Sequence, residues 1–190
     1  THWVAAEVLL AQGVASFPIL LGLLADSATG PAVQARVVRS CAAIGGQGAI
    51  DLLAPRMNAV DAGVELAVLG GLRANGYQAA SGEEQAYVRQ RIEETTSRAA
   101  WSMASILDLS ETDGTQAVLK ALGADVDQRR ERIFLLLTLI YEAPQVELVR
   151  DSFRSGDPDG RVYALELLDA LLDANTRELI FPLLEDLTLN

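Results

Sequence analysis

Apolar positions along this chain recur at spacings of three and four, and no stretch alternates apolar and polar residues long enough to make a half-buried strand. The pattern predicts helices throughout, and it repeats. Val33-Gln34-Ala35-Arg36-Val37-Val38-Arg39-Ser40-Cys41-Ala42-Ala43-Ile44-Gly45 aligns with Val64-Glu65-Leu66-Ala67-Val68-Leu69-Gly70-Gly71-Leu72-Arg73-Ala74-Asn75-Gly76, 31 residues on. Small or apolar residues hold the fifth, sixth and ninth positions, and glycine holds the thirteenth. Further frames start near residues 1, 96, 128 and 160, at a period of 32. The frame at Thr96 keeps Ala100, Trp101, Ala104 and Leu107 but lacks the glycine; the frame at Gly160 sets Ala164, Leu165, Leu168 and Leu171 in phase.

Each frame reads as the first helix of a pair. Second helices are expected around Leu20, Leu53, Ile92, Leu119, Val149 and Ile180. The punctuation fits: Gly13, Gly45-Gly46 and Asn75-Gly76 close first helices, Asp26, Asp61, Asp127 and Asp157 precede the next pair, and Ser81-Gly82-Glu83-Glu84 and Asn175-Thr176-Arg177-Glu178 read as capping boxes. Pro55 and Pro182 share the twenty-third repeat position and suggest a shared bend. One helix pair cannot bury its own apolar face, but a stack of pairs can. The expected fold is therefore all-α: one domain over residues 1–190, an α-solenoid of about six antiparallel helix pairs.

These frames resemble the short-period HEAT family, which is armadillo-like in architecture, with its Val-Arg-x-x-Ala-like first helix and closing glycine. Arg36 and Arg161 stand close to the family's arginine without keeping its phase in every frame. The C-terminal third carries Arg132-Ile133-Phe134-Leu135-Leu136-Leu137, Ala164-Leu165-Glu166-Leu167-Leu168 and Phe181-Pro182-Leu183-Leu184-Glu185-Asp186. It is similar to HEAT segments of bacterial proteins that link a nucleotide-translocase-like or major-facilitator-like membrane domain to a cyclic-nucleotide-binding domain. The resemblance implies a scaffold or regulatory module, a transporter-associated setting and no catalytic residues. It also implies a location in the cytoplasm or at the inner face of a membrane through a neighbouring domain. On this reading the 190 residues are a piece of a longer protein.

Composition sharpens the picture. Half of the chain is hydrophobic but only 5% is aromatic, and Ala, Leu, Val and Ile suit closely packed helices. A net charge of −11 repels a phosphate backbone and argues against nucleic acid as a partner. Trp3 to Ala25 holds only Glu7, Gln12 and Ser16 as polar side chains, which is long enough for a bilayer. Gly13, Pro18 and the charge of Glu7 favour two buried helices joined by a turn, so the segment is expected to be soluble. Trp3 and Trp101 read as packing residues.

Chemistry-bearing motifs are few. One cysteine and a near-terminal His2 cannot form a disulfide or a Cys/His zinc site. Cys41 takes the ninth frame position and reads as a buried small hydrophobe. Gly45-Gly46-Gln47-Gly48 follows a helix rather than a strand and lacks a following Lys-Ser/Thr, so it reads as an inter-helix turn. Asp157-Pro158-Asp159-Gly160 begins like a calcium loop, but the twelfth position is Leu168. The acidic stretch Asp108–Gly114 reads as a solvated loop. Arg129-Arg130-Glu131-Arg132 reads as a solvated helix start paired with acids, with contact to an acidic partner or phosphate as the second reading.

No cofactor or metal is called for. The leading expectation is a non-catalytic scaffold that contacts a protein, or neighbouring domains of its own chain, through second-helix positions. Arg56, Asn58, Arg89, Gln90, Lys120, Arg150 and Arg154 are the candidate binding face. The alternative is a HEAT-like enzyme of the bilin-lyase type with a concave acidic site, and a third reading is an oligomerisation element.

Overall fold

A computed structural model describes residues 9–26, 28–110, 114–155 and 157–185. Among them are nine α-helices and no strand. Residues 1–8 of the first frame, Trp3 among them, and the apolar terminus Leu187–Leu189 lie outside the described residues. The chain divides into two compact units, residues 1–78 and 79–190.

In the first unit α1 (Phe17–Ala25), α2 (Pro31–Ile44), α3 (Gly46–Leu53) and α4 (Ala62–Ala74) form the core, with short 3-10 turns at Gly13–Ser16 and Ala54–Arg56. Pro31 opens α2, where a missing N–H costs nothing. The Asp61 carboxylate caps α4 by accepting from Val64 N–H at 3.0 Å. The fifth, sixth and ninth frame positions of α2 and α4 are all buried: Val37, Val38 and Cys41 in one helix, Val68, Leu69 and Leu72 in the other. Both frames end on a glycine of positive φ, +79° at Gly45 and +70° at Gly76. α4 runs close to its neighbours at Gly71, where an added Cβ would sit 2.9 Å from Leu53 Cδ1 and 3.0 Å from Ala42 Cβ. Asn75 then ties the helix ends together. Its Nδ2 donates to Gly71 O (2.8 Å) and Ala42 O (3.1 Å), and its Oδ1 accepts from Gly46 N–H (3.1 Å).

The apolar stretch that could pass for a membrane span breaks into a helical turn over residues 9–12, the 3-10 turn and α1. Leu20 is buried, whereas Ile19, Leu21 and Leu23 are exposed, so the expectation of a fully buried second helix is corrected here. No helix among the described residues is long and apolar enough to cross a membrane.

The second unit is built on α5 (Gly82–Ser110) and α6 (Gln116–Leu137), which pack along each other. α7 (Ala143–Ser155) and α8 (Pro158–Leu171) form a second hairpin, and α9 (Ala174–Glu185) lies on α5. The frames expected at Thr96 and Gln128 do not open helices; they fall inside α5 and α6. No glycine interrupts α5, so its face runs unbroken through Val88, Ile92, Thr95, Thr96, Ala99 and Ser102. That face is rotated from the expected one. Trp101 and Leu107 are 72% and 73% exposed, which corrects the reading of Trp101 as a packing residue. Ile180 and Leu184 of α9 line one small cavity with Ala99, Val126, Ile133 and Phe134.

Capping follows the sequence in part. Ser81 and Glu84 make the expected box, with Glu84 N–H donating to Ser81 Oγ (3.1 Å) and Ser81 N–H to Glu84 Oε2 (2.9 Å). At α9 the cap is Asp173, which accepts from Thr176 N–H at 3.0 Å, rather than the expected box at Asn175–Glu178. Asp157 caps α8 through Gly160 N–H, as its position suggested, but Asp127 lies within α6. The two prolines do not share a bend: Pro55 sits in a 3-10 turn and Pro182 inside α9.

Leu168 is fully buried, so Leu168→Ala is expected to destabilise the chain by about 2–5 kcal/mol in urea titration; a loss below about 0.5 kcal/mol would remove Leu168 from the core. Asn75→Ala leaves the Ala42 carbonyl and the Gly46 amide without the side-chain partner, while Gly71 O keeps the residue-75 N–H, and the expected loss by the same measurement is about 1–3 kcal/mol.

Candidate functional site

The seven candidate residues fall in several places. In the first unit Arg56 sits on the 3-10 turn after α3 and donates from Nη1 to Leu52 O at 2.7 Å; Arg56 and Asn58 border an open cleft of about 690 Å³ with Gln34 and Asp61. In the second unit Arg89 lies 3.5 Å from the Asp173 carboxylate, and Gln90 donates to Glu94 at 3.0 Å. Lys120 is exposed on α6. Arg150 and Arg154, one turn apart on α7, are the pair that the structure brings together with further cations.

These two line an open cleft of about 590 Å³ with Asp127, Arg130 and Glu131 of α6 and with Phe134 and Phe153. Phe134 and Phe153 approach at 6.0 Å between ring centroids, and the guanidinium of Arg161 on α8 sits 5.4 Å from the centre of the Phe153 ring. Three helices thus contribute four arginines. Arg130 pairs with Asp127 at 3.0 Å, and Arg150 reaches Glu131 and Asp151 at 3.4 Å each. Burial, and then the positive charge of Arg161, lower the pKa of Arg130 against the opposing pull of Asp127. Arg130 Nη2, Arg150 Nε and Arg161 Nε are covered and have no acceptor among the described residues.

The run Arg129–Arg132 therefore does not act as one patch. Arg129 turns to Asp125 at 2.7 Å, a carboxylate that also accepts from Ser102 at 2.8 Å on α5. The hydrogen bond from Arg129 holds Asp125 below the usual carboxylate range. Arg132 is buried, and of the run's three arginines Arg130 alone lines the cleft, beside Glu131. The α6 and α8 arginines were not among the seven candidates. Their signal in the sequence is weak: Arg130 and Phe134 stand one turn apart, but nothing local shows that Arg161 reaches Phe153.

A second polar junction joins α5, the turn after α6 and α9. The Tyr141 hydroxyl donates to Asp173 Oδ2 at 2.6 Å, and Thr176 Oγ1 lies within 3.1 Å of the same oxygen. Burial, then the bond to Asp173, raise the pKa of Tyr141. This junction seats the start of α9.

The turn at Gly45–Gly48 behaves as a connection: Gly45 and Gly46 have positive φ, and a Cβ on Gly48 would meet the Phe17 ring at 2.6 Å. Among the described residues no group of three or more His, Cys, Asp or Glu could hold a metal ion. No family model matches this chain, and neither does any curated protein or solved structure. The likeness to HEAT repeats accordingly rests on the residues of the repeat itself.

Cys41 is fully buried, and desolvation pushes its thiol from 9.0 up to about 11, against a weaker opposing effect of the Arg56 charge. Below pH 9 the thiol is protonated in both folded and unfolded chains. Between pH 9 and 11 the unfolded thiol ionises first, so stability falls as pH rises through this window. The thiol is expected to resist a disulfide reagent at pH 8 in the native chain and to react within seconds to minutes in 8 M urea (about the usual denaturing range); rapid labelling of native protein would contradict its burial.

Proposed function

We propose that this chain is a non-catalytic helical module that binds a protein partner, or a neighbouring domain of its own polypeptide, through the arginine-lined cleft of α6 and α7. The observation that carries the reading is the convergence of Arg130, Arg150 and Arg154 on one open cleft, with Arg161 stacked on its Phe153 wall, in a chain of net charge −11. Lone arginines on a helix surface are ordinarily solvated or paired within a turn. Here four come from three elements, beside two aromatic rings, which is the composition of a contact surface rather than of a solvated face. The one cysteine is buried and protonated, so it offers no thiolate nucleophile.

We also infer that residues 31–76 are tandem helix pairs of the short-period HEAT kind. The matched burial of Val37, Val38 and Cys41 with Val68, Leu69 and Leu72 supports this, as do the positive-φ glycines that end both frames. In that setting the module couples what it binds to whatever adjoins it, as an interaction scaffold.

Photo-crosslinking tests the reading. Benzoylphenylalanine replaces Asp151, at the cleft rim, or Glu178, on exposed α9, in the protein expressed in its own cells. The expected result is one discrete adduct from position 151 that disappears with Arg150→Glu and is absent from position 178. No adduct at 151, or the same adducts at both positions, would overturn the proposal.

A further inference from the structure

We propose that the arginine-lined cleft recognises a phosphomonoester carried on a peptide segment of the partner. This rests on the interaction reading above and names the chemistry that the site takes.

Charge comes first. The cleft is lined by Arg130, Arg150 and Arg154 against Asp127 and Glu131, and Arg161 adds a fourth cation behind Phe153. Asp151 also pairs with Arg150, so four arginines stand against three carboxylates; among the described residues Arg154 and Arg161 have no carboxylate partner, and the local excess is one positive charge inside a strongly acidic chain. An extended polyanion or an anionic bilayer would meet that excess together with the field of 26 acidic residues, and the long-range term would repel it. A single compact dianion on an otherwise ordinary peptide meets mainly the local arginines.

Donor geometry comes second. Arg130 Nη2, Arg150 Nε and Arg161 Nε come from three helices, are covered by protein and lack acceptors. Leaving such donors unmade is costly. A side-chain turn toward a tetrahedral oxyanion satisfies donors approaching from several directions, and guanidinium forks match phosphate oxygens in pairs. A planar carboxylate offers fewer acceptor directions, and the ones nearby, Asp127 and Glu131, leave these atoms unpaired.

Shape comes third. The cleft is open along one side and its volume, about 590 Å³, far exceeds a phosphate ion. An enclosed pocket would suit a small metabolite, which such sites cover almost wholly. An open trough, walled by Phe134 and Phe153, suits a chain that crosses it and sets one charged side chain among the arginines.

The test titrates the full chain with three degenerate hexapeptide libraries whose fixed residue is phosphoserine, serine or glutamate. Inorganic phosphate and phosphatidylserine vesicles are run beside them. The phosphoserine library is expected to bind at least tenfold more tightly than the other two. Arg154→Gln, at an exposed side chain that the fold does not need, is expected to reduce this binding at least fivefold with the helical circular dichroism unchanged. Inorganic phosphate should compete at millimolar concentration, and vesicles should not bind. Equal binding of the glutamate or serine library, insensitivity to Arg154→Gln, or binding to vesicles overturns the inference. Failure here is separable from failure of the interaction reading: a 151 adduct that still forms when phosphatase treatment precedes irradiation keeps the partner and removes the phosphoryl group, whereas absence of the adduct from untreated samples removes both.

Discussion

The second unit depends on a helix end that is apolar on every side. From Arg132 to Leu139 each residue at the end of α6 and just beyond is buried. A helix with one apolar stripe needs one neighbour, but one buried all round must be enclosed. Phe134 and Ile133 line a small cavity with Ala99 of α5 and Ile180 and Leu184 of α9, Phe134 approaches Phe153 of α7, and the Leu139 carbonyl accepts from Ala79 N–H at 2.8 Å. Each neighbour in turn fixes another: α9 must start where Asp173 and Tyr141 hold it, and α7 must leave at an angle that carries Phe153 inward.

The same enclosure places the charges. Arg130 sits one turn before Phe134, so a guanidinium stands at the mouth of the apolar region, half desolvated by it. Arg150 and Arg154 flank Phe153 on α7, and Arg161 stacks on that ring from α8. Aromatic packing thus collects arginines that are far apart in sequence. Burial, and after it the charge of Arg161, lower the pKa of Arg130 against the pull of Asp127, while Arg150 is held by Glu131 and Asp151.

The helical class and much of the first unit's core were legible in the sequence because a single-stripe helix shows its buried face as a period. The α2 and α4 frames predicted six core positions and two glycine caps that the structure contains. The same method misplaced α5. Its frame leaned on Trp101 and Leu107, large apolar residues that point outward, while the buried face is written in Thr95, Thr96, Ala99 and Ser102, which carry little hydropathy. A helix face that packs closely against another through small side chains gives a weak apolar signal. The arginine cleft was legible by half. Arg150 and Arg154 follow from spacing on one helix, whereas Arg130 and Arg161 join them only through the tertiary path of α6 and α8.

The position of α9 on α5 has a consequence for how the second unit comes into being. In an array of neighbouring repeats, each new pair can settle on the one before it as the chain lengthens. Here the first helix of the unit shares its core with the last, and α6, α7 and α8 must all be synthesised before α9 can close over Ala99. Loop closure of that span is an entropic barrier met late, and until then the apolar end of α6 has one side open. The unit is therefore expected to close as one cooperative event once α9 has emerged rather than stepwise along the chain, and until then it presents an aggregation-prone apolar surface.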